Sequence, residues 1–367
     1  MSARAAALGV KKTARYGMYH QREIKSCLTL LKDYIGRHLD EWDVYRVLGN
    51  PYDRVYAAQP SVPHENGRDR KAPASRAFYK LVEIVKTTPF LSEMMASEAP
   101  LNCAYAGEAP GSFVECVVTL RRSGGHDSDT HTGMSLRSEN RTVPHWKLST
   151  AWMKANGVTI CRGADGTGDM RSARNAEAFV EACGGAGSCD LVTGDGGFDF
   201  SSDFNDQEAL AFGLLASECH IAVRLLKRGG ACVIKVFDAF NDDTKNLLAS
   251  FAGCFERFDV RKPKTSRPGN SERYIVCGGF EGASPELERA YLSANVSDVV
   301  PPPEALERIE SANLEHGLKQ VRSILGTIDC MDRKDARGVP DLSGEWLEVY
   351  SCLQGGPSGG TAERTRA

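Results

Sequence analysis

An α/β fold built on a mainly parallel sheet is the architecture this sequence predicts, and three stretches predict it. The first joins Asp190-Leu-Val-Thr-Gly-Asp195-Gly-Gly, a helical apolar period from Leu210 to Leu226, and Ala231-Cys-Val-Ile-Lys235-Val-Phe-Asp238. Apolar run, helix and β-branched run form a strand-helix-strand unit, which is right-handed and sets its two strands parallel. The second is Leu101-Asn-Cys-Ala-Tyr-Ala-Gly107-Glu108-Ala109-Pro110-Gly111-Ser112-Phe113, a strand that passes into a helix through a Gly/Pro turn. Such a turn lets backbone approach a ligand and aims helix-terminal N–H groups at it. The third is the pair of runs at 255–260 and 273–277, joined by the loop 261–271. That connection is too short for a crossover, so the pair is antiparallel and Glu272 returns to the edge where the parallel strands end.

The remaining elements follow the chain. A basic arm leads into a helix over 23–37, where Leu28, Leu30, Leu31, Tyr34 and Ile35 are apolar and Trp42, Tyr45 and Val47 extend that surface. Prolines and glycines make 49–74 a loop, Ser75 is a fair N-cap, and a helix runs to about Thr87 with Lys80 beside its apolar stripe. Residues 121–132 read as a polar loop, Met134-Ser-Leu-Arg137 as strand two and Gly157-Val-Thr-Ile-Cys161 as strand three. A glycine-rich acidic loop, Gly163-Ala-Asp165-Gly-Thr-Gly168-Asp169, precedes a helix near 175–182; no Gly-Lys-Ser/Thr closes it, so it is no Walker loop. The helix after strand four is expected to continue until Gly229-Gly230. Residues 282–350 read as helical and acidic, and 355–367 as a disordered tail. The expected organisation is an extension over 1–74, a catalytic domain over 75–280, a helical acidic extension over 281–352 and a tail over 353–367.

With 367 residues, 41% of them hydrophobic, the chain has ordinary globular composition, and no run reaches the roughly 18 apolar residues of a membrane helix. No signal peptide is read at the N-terminus, and twelve cysteines without a C-x-x-C pair favour buried thiols over zinc or disulfides. A reducing intracellular compartment, no metal and no membrane partner are therefore expected. The net charge of −3 hides an asymmetry: residues 281–367 hold 9 basic against 15 acidic side chains. Basic groups gather at Arg68, Arg70, Lys71, Arg76 and Lys80, and again at Arg257, Arg261, Lys262, Lys264, Arg267 and Arg273. Two banks of a phosphate groove and a solvated rim are both open readings.

Lys235 is the anomaly, an ammonium inside an apolar strand. With it, Ser75-Arg-Ala-Phe-Tyr-Lys80, Glu108-Ala-Pro-Gly-Ser-Phe113, Asp190-Leu-Val-Thr-Gly-Asp195-Gly-Gly and Ser266-Arg-Pro-Gly-Asn-Ser-Glu272-Arg-Tyr resemble the FtsJ/RrmJ-type ribose 2′-O-methyltransferases. The match spans roughly 75–280. It is nearest the cap-methylating branch of large DNA viruses and protists, through Asp165-Gly-Thr-Gly-Asp169 and Asp195-Gly-Gly-Phe-Asp199. The resemblance implies a Rossmann-like methyltransferase sheet with one antiparallel strand, S-adenosylmethionine as donor, RNA as substrate and a Lys-Asp-Lys-Glu tetrad at Lys80, Asp195, Lys235 and Glu272. It also implies donor contacts from Gly107, Glu108, Ala109, Pro110, Gly111, Ser112, Phe113 and Asp195, with Asp165 near the adenine. Arg68, Arg70, Lys71, Arg76, Lys264 and Arg267 are the expected RNA contacts. Two features depart from the family pattern: Ser112 replaces a glycine, and no acidic residue ends strand two, where Glu139 is the nearest candidate for the donor ribose.

The chemistry suits those residue types. A ribose hydroxyl is a weak nucleophile that needs positioning and a proton acceptor. Burial and Lys80 push the pKa of Lys235 down, whereas Asp195 and Glu272 push it up. Methylation of ribosomal or transfer RNA, a silent RNA-binding subunit of the same fold and a nicotinamide oxidoreductase are the competing readings. The first turn, Gly-Glu-Ala-Pro-Gly, lacks the G-x-G-x-x-G that the last requires. Tyr16, Tyr19, Trp42, Tyr52, Tyr56, Trp146 and Phe240 are all candidates to stack on a methylated guanine, and no motif identifies a capping or polymerase partner.

Overall fold

The computed structural model describes residues 17–56, 73–140, 142–197, 205–335 and 337–350. Arg68, Arg70, Lys71, the 1–16 arm and the 351–367 tail lie outside the described residues. Its centre is a seven-stranded sheet of β1 (Asn102–Ala106), β2 (Thr130–Met134), β3 (Val158–Cys161), β4 (Cys189–Gly194), β5 (Leu226–Val236), β6 (Phe255–Arg261) and β7 (Arg273–Phe280), in the order β3-β2-β1-β4-β5-β7-β6. Neighbours from β3 to β5 pair parallel, and β7 runs against both β5 and β6. The predicted architecture, mainly parallel with one antiparallel strand, is thus the observed one.

Helices cover both faces. On one lie α3 (Ala77–Thr87), α4 (Pro89–Ala96), α5 (Ser112–Ser123) and α6 (Thr150–Ala155), with α12 (Ser343–Tyr350) added through buried Trp346. On the other, α7 (Ala173–Ala182), α8 (Gln207–Leu225), α9 (Asp242–Ala252) and α10 (Pro285–Leu292) enclose the second core. A third apolar cluster joins α1 (Gly17–Gly36) and α2 (Leu39–Leu48) to the long helix α11 (Pro303–Asp332). Gly317 lets α1 and α11 cross closely, since a Cβ there would stand 2.8 Å from Ile24 Cγ2.

Two boundaries differ from expectation. Strand two is Thr130–Met134, not residues 134–137, and the expected polar loop is helix up to Ser123 and strand from Thr130. Its polar side chains are satisfied: Thr130 Oγ1 donates to Asn102 Oδ1 at 2.9 Å, and His131 Nδ1 lies 2.8 Å from the Tyr105 hydroxyl. Burial lowers the His131 pKa to about 4, so it sits in the sheet as a neutral ring. The second correction is at Gly229-Gly230, which do not stop a helix. α8 ends at Leu225, and the glycines occupy an irregular stretch inside β5, where the β4 register jumps from Cys189↔Leu226 to Leu191↔Ala231.

Candidate active site

The C-terminal ends of β1, β4 and β5 and the start of β7 meet at one edge of the sheet, the place where open α/β sheets bind ligands. Lys80 projects from the first turn of α3, and its Nζ lies 2.7 and 2.9 Å from the two carboxylate oxygens of Glu272. Ser266 Oγ donates to the same carboxylate at 2.8 Å. Lys235, opposite Tyr274 in the β5-β7 register, donates to the Asp195 carbonyl at 2.7 Å and stands 3.4 Å from its Oδ1. Tyr274 OH donates to that Oδ1 at 3.2 Å. Two lysine-carboxylate pairs therefore face one edge, with Tyr274 bracing one of them.

The charge balance is asymmetric. Burial alone lowers the Lys235 pKa, but Asp195, Glu272 and Glu218 outweigh it and hold the ammonium above its ordinary value. Burial raises Glu272, yet Lys80, Lys235 and Lys262 bring it down to about 2. Without a further cation beside it, Lys235 is charged at neutral pH.

Three residues that sequence reasoning missed support this edge. Tyr274 could have been suspected from its place two residues after Glu272 on a strand, and so on the same face. Lys262 donates to Asn270 O, Asn270 Oδ1 and Glu272 O at 2.8, 2.6 and 2.8 Å, so its three protons fold the loop that carries Glu272. Glu218 of α8 accepts from Gly196 N–H at 2.9 Å, beneath the turn that presents Asp195. Nothing local to the sequence marks Glu218, which acts through a backbone group of the preceding loop, and Lys262 reads there only as one member of a basic run.

Burial holds the Glu218 pKa up at about 8. A carboxyl raised in the fold contributes its stability below the unfolded pKa and loses it as pH climbs through the folded one. Wild-type Tm should therefore fall from about pH 5 to about pH 8 through this group. Glu218→Gln keeps an acceptor for Gly196 and should flatten that slope in melting curves; equal slopes in the two proteins would show that Glu218 does not titrate there.

The turn after β1 carries the residues expected to contact the donor. Gly107 has φ +63°, and a Cβ there would lie 2.5 Å from Gly196 Cα, so the loops after β1 and β4 touch backbone to backbone. Gly111, at φ +107°, opens α5 beneath Leu148 and Trp146. The helix-terminal N–H groups of Phe113 and Val114 are not aimed outward, which corrects the expectation for this turn: Glu108 Oε1 accepts both, at 2.7 and 3.1 Å. Glu108 Oε2 is buried without a partner among the described residues. Burial, with Asp195 beside it, holds the Glu108 carboxyl well above its ordinary pKa, and an orphaned oxygen that an ammonium would draw into the ionised form, under a glycine cradle, fits the amino end and backbone-close packing of S-adenosylmethionine. Ala109, Pro110 and Ser112 build the same turn, and Ser112 Oγ bonds Ser75 Oγ at 2.7 Å.

Asp165 is exposed, and its Oδ1 accepts from Thr167 N, Thr167 Oγ1 and Asn175 Nδ2 at 2.9, 2.6 and 3.0 Å. Those bonds, Thr167's foremost, lower its pKa and shape the loop after β3. Glu139 is exposed in the segment beyond β2.

The basic clusters meet and divide. Arg76 of the first and Arg267 of the second share Asp53 Oδ1, each at 3.0 Å, and exposed Lys264 stands 5.8 Å over the Tyr52 ring. Arg261 Nη1 is spent on Thr87 O at 2.9 Å, and Arg257 lies 5.1 Å over Phe90. Beside Glu272 a cleft of roughly 170 Å³ opens between α1, α2, α11 and the 267–271 loop, lined among others by Ile35, Trp42, Arg46, Arg267, Gln320 and Ile324. Among the described residues no group of three His, Cys, Asp or Glu forms a metal site, and no helix is long and apolar enough to cross a membrane.

Comparison with known proteins places this geometry. The FtsJ-like methyltransferase family model matches residues 73–280. A cap-specific mRNA (nucleoside-2′-O-)-methyltransferase of Autographa californica nuclear polyhedrosis virus is 37% identical over 161 residues, covering 44% of this chain and 58% of its own. An enzyme described as cap-specific mRNA (nucleoside-2′-O-)-methyltransferase 1 from Trypanosoma brucei brucei is 38% identical over 188 residues, covering 50% of this chain and 49% of its own. One from Mus musculus, described as methyltransferase 2, is 27% identical over 278 residues, covering 74% of this chain and 36% of its own. The chain thus spans less than two thirds of each relative's length.

Proposed function

The chain belongs to the FtsJ-like methyltransferase family, and from that premise we propose that it methylates a ribose 2′-hydroxyl of RNA, the first transcribed nucleotides of capped mRNA being the favoured substrate. The observation that carries this reading is the double pair, Lys80 with Glu272 and Lys235 with Asp195, at one sheet edge beside the Gly107–Gly111 turn. Glu108, Asp195 and that turn would hold S-adenosylmethionine, with Asp165 on the adenine side. The donor supplies an electrophilic methyl group on a sulfonium, whose positive charge opposes the Lys235 ammonium and favours its neutral form. Asp195 and Tyr274 hold Lys235 in place; Lys80 and Glu272 orient the ribose; Lys235 accepts the hydroxyl proton. Abundant buried free thiols suit a reducing intracellular compartment.

The capped substrate is supported by the names of the relatives and by the cleft next to Glu272. Gln320 Oε1 is buried there without a partner among the described residues, ready to accept from a base edge, and Trp42, Ile35 and Ile324 form its apolar wall. Arg46 and Arg267 supply positive charge for a phosphate. Arg46→Gln should raise KM for capped RNA with little change in kcat and lower the salt slope of binding by about 0.7, one single-strand phosphate contact; an unchanged slope would leave the cleft out of the RNA path. The deciding assay is transfer of labelled methyl from the donor onto capped and uncapped RNA of one sequence. Label confined to a 2′-O-methyl on capped RNA is expected, and equal labelling of uncapped RNA would move the substrate to another RNA class.

A further inference from the structure

The helices flanking the matched domain meet the reactive edge through a buried polar chain. Asp238 lies two residues beyond the end of β5, three from Lys235; Arg273 directly follows Glu272 and pairs with Val236 in the β5-β7 register. Asp238 Oδ1 accepts from Arg273 Nη2 at 3.1 Å, and Oδ2 lies 2.9 Å from Lys32 Nζ of α1. Arg273 Nη1 donates to Asn313 Oδ1 of α11 at 2.7 Å. Asn313 Oδ1 also accepts from Ala239 N, and its Nδ2 donates to Ala239 O, at 3.2 and 3.1 Å. Asp238, Arg273 and Asn313 are 6%, 2% and 2% exposed, so water does not compete for these bonds.

From this we propose that α1 and α11 act as a brace that positions the reactive edge, with Asn313 and Lys32 as positioning residues for Glu272 and Lys235; the inference rests on the methyl-transfer reading. Two observations favour positioning over cohesion alone. A buried ion chain rarely adds stability beyond what apolar packing of the same volume gives, whereas its bonds are directional. The chain also grips the residue on one side of Glu272, while Gln207 of α8 takes the Ser271 hydroxyl on the other. Glu272 is thereby clamped between two fixed neighbours, and its loop is held again where Gln320 Nε2 donates to Gly269 O at 3.3 Å. Residues 73–280 alone contain neither Lys32 nor Asn313, so the edge they carry is incomplete without the flanking helices.

Asn313 is the residue to test, because it does not line the cleft. In the full chain, Asn313→Leu keeps the branched shape and the number of heavy atoms, with bulkier methyl groups, and removes every polar contact. It should lower kcat roughly tenfold through a displaced Glu272, with donor affinity and KM for RNA within about twofold of wild type. Asn313→Asp retains the acceptor for Arg273 and should recover most of kcat. Amide hydrogen exchange reads the brace without any turnover: protection of residues 271–274 should fall in Asn313→Leu and persist in Asn313→Asp. A lower Tm with wild-type kcat and unchanged exchange at 271–274 would overturn the proposal and leave a purely cohesive contact. A wild-type protein that methylates no RNA would sink the functional reading instead, and the exchange experiment would still decide the brace.

Discussion

Lys235→Arg is expected to lose about 10²–10⁴-fold in kcat while folding and binding S-adenosylmethionine nearly as wild type. The two side chains share a positive charge, but a guanidinium does not deprotonate near neutrality and is too broad for the site. A Cβ on Gly197 would already stand 3.1 Å from Lys235 Nζ, so little room surrounds the ammonium. Because Asp195 and Glu272 hold Lys235 above its ordinary pKa, wild-type kcat should climb with pH through the neutral range and beyond, about tenfold per pH unit until the base is free. The Arg variant should show no such limb. Near-wild-type turnover in Lys235→Arg would show that the residue contributes charge and that another group takes the proton.

Glu272→Gln is expected to show two effects of opposite kind. Its carboxylate fixes Lys80 through both oxygens, and its loss should reduce the plateau of kcat by about 10²-fold as the hydroxyl is misplaced. The same carboxylate is one of the charges that raise Lys235, so its removal should move the rising limb to lower pH. At acid pH the sign reverses for stability: a carboxyl held down at about 2 stabilises the fold above its unfolded pKa and loses that contribution as pH falls toward 2. Glu272→Gln should therefore narrow the acid resistance of the fold. A variant with lowered kcat and an unmoved limb would separate Glu272 from the titration of Lys235.

The parts of this molecule that were legible in its sequence are those whose causes are local. The β4-α8-β5 unit announces itself because apolar residues recur at one period and then another, and Lys235 stands out because it breaks such a run. Lys80, Asp195 and Glu272 could be named from short motifs around them, and the structure gathers all four side chains. What stayed hidden depends on distant partners. β2 reads as a loop because Thr130, His131 and Thr132 are polar, and only Asn102 and Tyr105 across the sheet satisfy the first two. Charge runs mislead for the same reason: Arg257, Arg261 and Lys262 look like one bank of a groove, yet each is committed to an intramolecular partner. The Gly107 turn could be recognised as a close approach, but not that Glu108 would already occupy the helix terminus.

The crossing of α1 over α11 at Gly317 bears on how the protein is made. Ile24, Leu28 and Leu31 find their apolar partners in Val321, Ile324 and Ile328, nearly the whole chain away. At synthesis rates of about 5–20 residues per second, α1 leaves the ribosome roughly 15–60 s before α11. Its apolar face spends that interval without its native cover, the period in which a nascent chain most needs a chaperone. β7, which must slot between β5 and the already synthesised β6, emerges late as well. Assembly of the edge that carries Lys235 and Glu272 thus waits for β7 and α11, and ribosome-bound chains halted before residue 303 should bind donor-loop probes poorly and hold-type chaperones well.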